Sequence, residues 1–451
     1  MKKIAFVLIC SFLANQAAFA GPAPAPSPTP APFHVNPNTL RTTLLYGNYA
    51  ILVGMNQVAQ AKDQVKVARA NLLPSVSLSV IFSPNFLLGS VSLLLPFLFP
   101  SNWFNKAQSK NTLAADTVAY YLVQLNQYAS AYALYEEMVS DVDLNIALKQ
   151  QSVALQNLYA SLKQQNQVGK TSDQDLNSAA GRSELADIDL SQSDKLLATE
   201  TAALRQMLAV PLEQQLILDV AHVPASTYEN STPQILSAKA LSVAPENSQI
   251  DDLVAASYDT KWSKFWSFFT SASLGTIGSN SSGGQISGAN FGHVGESNSG
   301  TFGFATFANL QLSNDSIEQL QLQKVELKEE TDQLAETALT SIVQSQKQLL
   351  LAQAAEQNLI NAYNIELENF YLGTTDLLHV LDANTAILAA TEARVNSQID
   401  LDNLRINIHR MLITDQFALI QGCQLQDYNG NETLDDACNP NYNSDNDPNV
   451  P

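Results

Sequence analysis

This chain of 451 residues predicts a mainly α-helical fold with transmembrane β-strands, arranged as two structural repeats. Each repeat is a long α-helical hairpin plus a β-strand pair. Three observations lead there. Residues 102–167 run without Pro or Gly, so a single helix there would reach about 100 Å at about 1.5 Å per residue. Short stretches that alternate apolar and small polar residues precede the long runs, with the period of a strand that has two unlike faces. The chain also repeats itself in register. Gly169 is followed by Asp175-Leu176 and Ala179; Gly373 is followed at the same spacing by His379-Val380 and Ala383. The register holds to the ends of the copies, where Leu204 to Leu208 lies opposite Ile408 to Leu412.

The first residues read as a secretory signal, expected over residues 1–20. Lys2-Lys3 form the basic start, Ile4 to Leu13 the apolar stretch, and Ala18-Phe19-Ala20 the small-x-small cleavage site. The apolar stretch is about ten residues, against about twenty for a membrane-spanning helix. Once cleaved, the chain carries 23 − 2 = 21 basic against 43 acidic residues. That balance repels phosphates and excludes nucleic acid as a partner. Cys423 and Cys438 remain as a possible disulfide, which an oxidising compartment permits. Residues 21–35, rich in Pro and Ala, read as an extended tether.

Residues 36–208 form the first repeat. Thr39 to Leu73 is expected to be one helix, with Val58, Ala61, Val65 and Ala68 on one face and Pro74 as its stop. Strands are expected at about 75–82 and 90–98. The long helix ends at Gly169, and Thr171-Ser172-Asp173 offers an N-cap for a return helix to Leu208. Residues 209–245, punctuated by Pro211, Pro224, Pro233 and Pro245, form the junction between repeats. Residues 246–412 form the second repeat: a helix from Glu246 to about Phe265, strands at about 268–277 and 301–312, a Gly/Ser/Asn loop from Gly278 to Gly300, a long helix from Ser313 to Asn369, and its return from Thr374 to Leu412. Residues 413–451 end in an acidic tail expected to be disordered.

Two strand pairs do not close a sheet, because an isolated hairpin is marginal and membrane barrels usually need at least eight strands. Further copies of the chain must complete them. Val76, Leu78, Val80, Val91, Leu93 and Leu95 would face lipid, with Ser77, Ser79, Ser90 and Ser92 toward the lumen. Phe86 to Phe99 is about fourteen residues and contains Pro96, too short and broken for a membrane helix.

With those elements in order, the chain resembles the TolC-type outer-membrane efflux family over roughly residues 36–415. The resemblance rests on Ala68-Arg69-Ala70 and Leu72-Leu73-Pro74 before the first strand, Pro96 closing the second, Val168-Gly169 with Asp175-Leu176, and Leu372-Gly373 with Val380-Leu381-Asp382-Ala383. It implies a homotrimer whose twelve-stranded β-barrel continues as a periplasmic α-helical barrel. It further implies an outer-membrane location with a large periplasmic portion, contact with outer-membrane lipid, and a passive exit duct in a tripartite efflux or type I secretion system. The partners implied are a periplasmic adaptor (a membrane fusion protein) and an inner-membrane transporter.

By the same resemblance the hairpin turns meet the adaptor, through Val168, Gly169, Lys170, Thr171, Leu372, Gly373, Thr374 and Thr375. Taken by themselves these residues are turns. The family's ring of aspartates at the pore entrance maps onto His379 and Asp382, three apart and hence on one helix face. Asp175 is the counterpart in the first repeat. Asp382 would focus a cation-attracting field, whereas His379 departs from the expected aspartate and would weaken that field. The other reading of His379 is an ordinary surface histidine.

Other signals fall short. Gln164 stands where a phosphate loop ending at Gly169-Lys170-Thr171 needs its first glycine. Asp427, Asn429 and Asn431 begin like a calcium loop, but Glu432 and Cys438 occupy its glycine and glutamate positions. His34, His222, His293, His379 and His409 show no metal spacing along the chain, and no catalytic constellation appears. No enzyme, cofactor or metal is therefore expected. Trp262, Phe265, Trp266, Phe268 and Phe269 read either as an aromatic belt at a membrane interface or as a core cluster at a helix end. The competing function is a soluble periplasmic coiled-coil scaffold, which would have no use for the strand pairs. Exported cargo is not legible.

Overall fold

The computed structural model describes residues 31–72, 100–272 and 304–420. Along the chain these form β1 (Phe33–Val35), α1 (Pro37–Gly47), α2 (Tyr49–Ala70), α3 (Pro100–Gln167), α4 (Asp173–Leu208), β2 (Leu216–Leu218), α5 (Pro233–Val243), α6 (Pro245–Ala272), α7 (Phe304–Tyr371), α8 (Leu377–Leu412) and a 3-10 turn, Asp415–Ile420. The expected secretory signal, most of the expected Pro/Ala tether, the strand pair expected at 75–82 and 90–98, the loop expected from Gly278 to Gly300, both cysteines and residues 421–451 lie outside the described residues.

Two helical hairpins of equal dimensions dominate. Helices α3 and α7 each contain 68 residues, and α4 and α8 each contain 36. Both return helices end in a left-handed residue, Ala209 and Ile413. The buried positions of α3 (Leu113, Thr117, Tyr120, Gln124, Tyr128, Ala131, Tyr135) recur every three or four residues, the spacing of one helix face.

Three apolar clusters hold the helices together. At mid-length, Tyr120, Tyr128, Tyr132 and Tyr135 of α3 pack with Leu40, Leu44, Leu204, Leu208 and Phe417. Phe417 meets the Tyr128 ring edge-on at 4.9 Å, a favourable aromatic geometry. A second cluster joins α5 (Leu236, Ala240) to α7 (Ala335, Leu339, Ile342) and α8 (Leu401, Ile408, Leu412). The third lies near the turns.

Four expectations need correction. The helix expected from Thr39 to Leu73 is broken at Asn48. Its backbone is extended, its side chain caps α2 by accepting from the amides of Ala50 (2.9 Å) and Ile51 (3.3 Å), and its amide donates to the Met207 carbonyl at 3.0 Å. Gly47 permits the close approach: a Cβ there would lie 2.9 Å from the Leu208 carbonyl oxygen. Phe33–Val35, expected within the extended tether, instead pairs in parallel with Leu216–Leu218. Residues 268–272 belong to α6, since no breaker follows Trp266. Residues 304–312, expected as a strand, begin α7. Phe304, Ala308 and Leu312 satisfy a two-residue period, but they are also spaced four apart, and the breaker-free run behind them extends the helix.

Candidate functional site

The two hairpin turns lie side by side. Leu155, Leu158 and Leu162 of α3, Ala179 and Ala186 of α4, and Leu377, Val380 and Leu381 of α8 form one buried cluster, flanked by Tyr363, Leu367 and Phe370 of α7. The ends of both hairpins are therefore one packed unit.

Each turn is built the same way. Gly169 has φ +73° and Gly373 φ +76°, left-handed values at which a side chain costs about 1–2 kcal/mol. Lys170 donates its amide to the Gln165 carbonyl and Thr374 to the Asn369 carbonyl, both at 2.9 Å. These bonds occupy carbonyls that the helix end leaves open. The exits differ. Ser172 caps α4 by accepting from the Asp175 amide at 3.1 Å, whereas Asp376 at the start of α8 makes no side-chain cap bond. Asn166 also ties the first turn, donating to the Thr171 carbonyl (3.0 Å) and the Asp173 carboxylate (2.9 Å).

The turns present apolar side chains to water. Val168 is 69% exposed and Leu372 70%. Gly169, Lys170, Gly373 and Thr374 are exposed too, and Thr171 and Thr375 are half-buried.

His379 and Asp382 are both exposed on α8, one turn apart. Asp175 stands in a different setting: its carboxylate accepts from the Ser172 hydroxyl at 2.6 Å, so it serves the helix start. One residue near this end escaped the sequence reading. Arg182 of α4 places a guanidinium nitrogen 3.9 Å from Asp382 and lines, with Leu155, Leu381 and Asn384, a cleft between α3, α4 and α8. Gln151 donates to Asn384 at 2.7 Å across it. No spacing rule links Arg182 to Asp382; the packing of the two hairpins does.

Farther from the turns, half-buried arginines of α8 form ion pairs with neighbouring elements. Arg394 of α8 binds Asp143 of α3 at 2.8 Å and Glu356 of α7 at 2.7 Å. Arg405 binds Glu229 at 3.0 Å. Glu200 of α4 behaves differently: burial, then the neighbouring Asp141 and Glu137, push it up to about 8, because the charged form is disfavoured away from water.

At the opposite end of α3, Trp262 of α6 lies 6.4 Å from Phe104 and 5.7 Å from Phe265, which in turn meets Trp266 at 5.6 Å. The aromatic cluster expected there is thus on a helix that packs against α3, not at the start of a strand.

No family model and no curated protein matches the chain. Solved structures do. The Campylobacter jejuni CmeC outer membrane channel is 14% identical with a TM-score of 0.63, over 85% of this chain and 88% of that one. CusC, whose structures describe transmembrane channel formation, is 16% identical with a TM-score of 0.63, over 87% and 97%. The Vibrio cholerae outer membrane protein VceC is 13% identical with a TM-score of 0.59, over 84% and 95%. The fold is that of the TolC-type outer-membrane channels. Among the described residues no helix is long and apolar enough to cross a membrane.

Proposed function

We propose that this protein is an outer-membrane exit duct, a passive channel that receives substrate from a periplasmic adaptor and an inner-membrane transporter. The carrying observation is the pair of equal hairpins, whose longer helices reach about 100 Å, packed into one unit at their turns. Helices of that length have no role in a compact domain but suit the wall of a tunnel. In this reading the two hairpins are copies of one unit, and three chains make six near-equivalent units around the lumen. The aromatic cluster around Trp262 sits toward the membrane.

The turns form the periplasmic tip. Val168 and Leu372, apolar and exposed, supply the adaptor contact, with Gly169, Lys170, Thr171, Gly373, Thr374 and Thr375 shaping it. His379 and Asp382 line the entrance, where threefold symmetry multiplies their charge, and Asp175 supports the wall behind them as a helix cap. Both tripartite efflux and type I secretion fit this arrangement.

Two measurements test the reading. The protein should be extracted from outer membranes only by detergent, as a trimer, and should conduct ions in planar bilayers. Recovery as a soluble periplasmic monomer would instead support a scaffold role. In bilayer recordings, His379→Asp should strengthen cation preference. An unchanged channel would remove His379 from the entrance.

A further inference from the structure

Midway along α3, far from the turns, two carboxylates are buried against each other. Glu136 of α3 is 1% exposed and Asp402 of α8 0%. Neither Glu136 carboxylate oxygen has a hydrogen-bond partner, nor does Asp402 Oδ1. Asp402 Oδ2 accepts from Gln398 at 2.7 Å. His222, on the segment between β2 and α5, closes the group: its Nδ1 lies 3.4 Å from Asp402 Oδ2 and 3.9 Å from Glu136 Oε2. Among the described residues, no other basic group comes within ion-pair distance of either carboxylate. Arg405 is nearby but is held by Glu229 at 3.0 Å and the Val223 carbonyl at 3.2 Å.

Three orphaned acidic oxygens in the protein interior are costly, several kcal/mol for each buried unpaired ion, and polar atoms so placed ordinarily have partners. The geometry meets the demands of a metal ion. One donor atom from each of the three residues lies within 4.8 Å of the others. Metal–ligand bonds of about 2.0–2.2 Å place neighbouring donors roughly 3–3.5 Å apart; the two His222 distances, 3.4 and 3.9 Å, are already near that range, and the remaining separation has to close by at most about 1.3 Å. Two carboxylates balance the charge of a divalent cation. One imidazole with two carboxylates suits zinc and its first-row neighbours, whereas calcium and magnesium take all-oxygen shells. The His222 side chain is 50% exposed, which gives an ion a way in and leaves room for water as a further ligand.

We propose that Glu136, His222 and Asp402 form a binding site for a zinc-type divalent cation. The ion would join α3 of the first hairpin to α8 of the second through the segment that connects the repeats, clamping the hairpins at mid-length. The nearby trio of Glu137, Asp141 and Glu200 offers oxygen alone and serves as the internal comparison.

The test uses the purified full-length chain, stripped with a chelator and titrated with zinc chloride by calorimetry, with cobalt(II) absorption as a second probe. Expected are one zinc per chain bound in the presence of excess magnesium and calcium, a raised Tm, and a cobalt spectrum that shows nitrogen ligation. His222→Ala, at a half-exposed position, and the shape-conserving double variant Glu136→Gln/Asp402→Asn should each weaken zinc binding by at least about tenfold and abolish the Tm rise. Glu200→Gln should leave both unchanged. The proposal is overturned if zinc does not bind, or if it binds equally well to His222→Ala and the double variant, which would place the ion elsewhere in this acidic chain.

Discussion

Leu377 and Leu378 are neighbours in sequence with opposite fates, and that contrast tests whether the hairpin ends are one unit. Leu377 is 3% exposed within the tip cluster, and Leu378 is 62% exposed. Leu377→Ala removes three carbons at about 0.8 kcal/mol each. With the cavity left behind, the loss is about 2–4 kcal/mol, within the range of buried Leu→Ala changes. Because the cluster includes Leu155, Leu158, Leu162 and Ala179, the loss should be felt in both hairpins. The assay is amide hydrogen exchange followed by mass spectrometry, which reads local opening. Exchange should accelerate by roughly 30- to 1000-fold in peptides covering 372–381 and also in those covering 155–179. Leu378→Ala should change either by less than about threefold, consistent with surface substitutions within about 0.5 kcal/mol. Acceleration confined to 372–381 would refute the shared cluster, and equal effects from the two variants would refute the assigned burial.

Further outcomes follow from other contacts. Ser172→Ala should destabilise the start of α4 by about 0.5–2 kcal/mol, seen as faster exchange at residues 173–176, while Asp376→Ala should cost α8 less because Asp376 makes no cap bond. Gly54→Ala should lower Tm, because its Cβ would sit 2.9 Å from Cδ2 of the buried Tyr120, an overpacking cost of about 1–3 kcal/mol. Stability should fall as pH rises from about 4.5 towards 8, because the folded state holds the Glu200 proton more tightly than the unfolded chain does; Glu200→Gln should flatten that slope in denaturant titrations. Arg182→Gln frees Asp382 from its neighbouring cation and should shift the bilayer reversal potential toward stronger cation preference; no shift would mean that Asp382 does not face the permeation path.

The helix ends were the most legible part of the fold. Gly169, Ser172 and Gly373 mark boundaries through backbone physics that acts locally: a left-handed turn and a capping hydroxyl. Where local signals are ambiguous the reading failed. Phe304, Ala308 and Leu312 fit two periods at once, and only the length of the breaker-free run behind them decided for helix. Asn48 carries no unusual spacing; it interrupts the first helical stretch because a distant carbonyl, Met207, is there to accept from its side chain. The candidate entrance residues His379 and Asp382 followed from their place after Gly373, but Asp175 proved to be bonded to Ser172.

The sequence by itself determined the pair of hairpins and the glycines that turn them, since each depends on residues within a few positions of one another. Only the tertiary structure decided what the hairpins bring together. Arg182 against Asp382, Arg394 between Asp143 and Glu356, and Glu136 with His222 and Asp402 all join residues from different elements. Such juxtapositions arise when long helices pack in one particular register, and no periodicity along a single helix records which neighbour it will face.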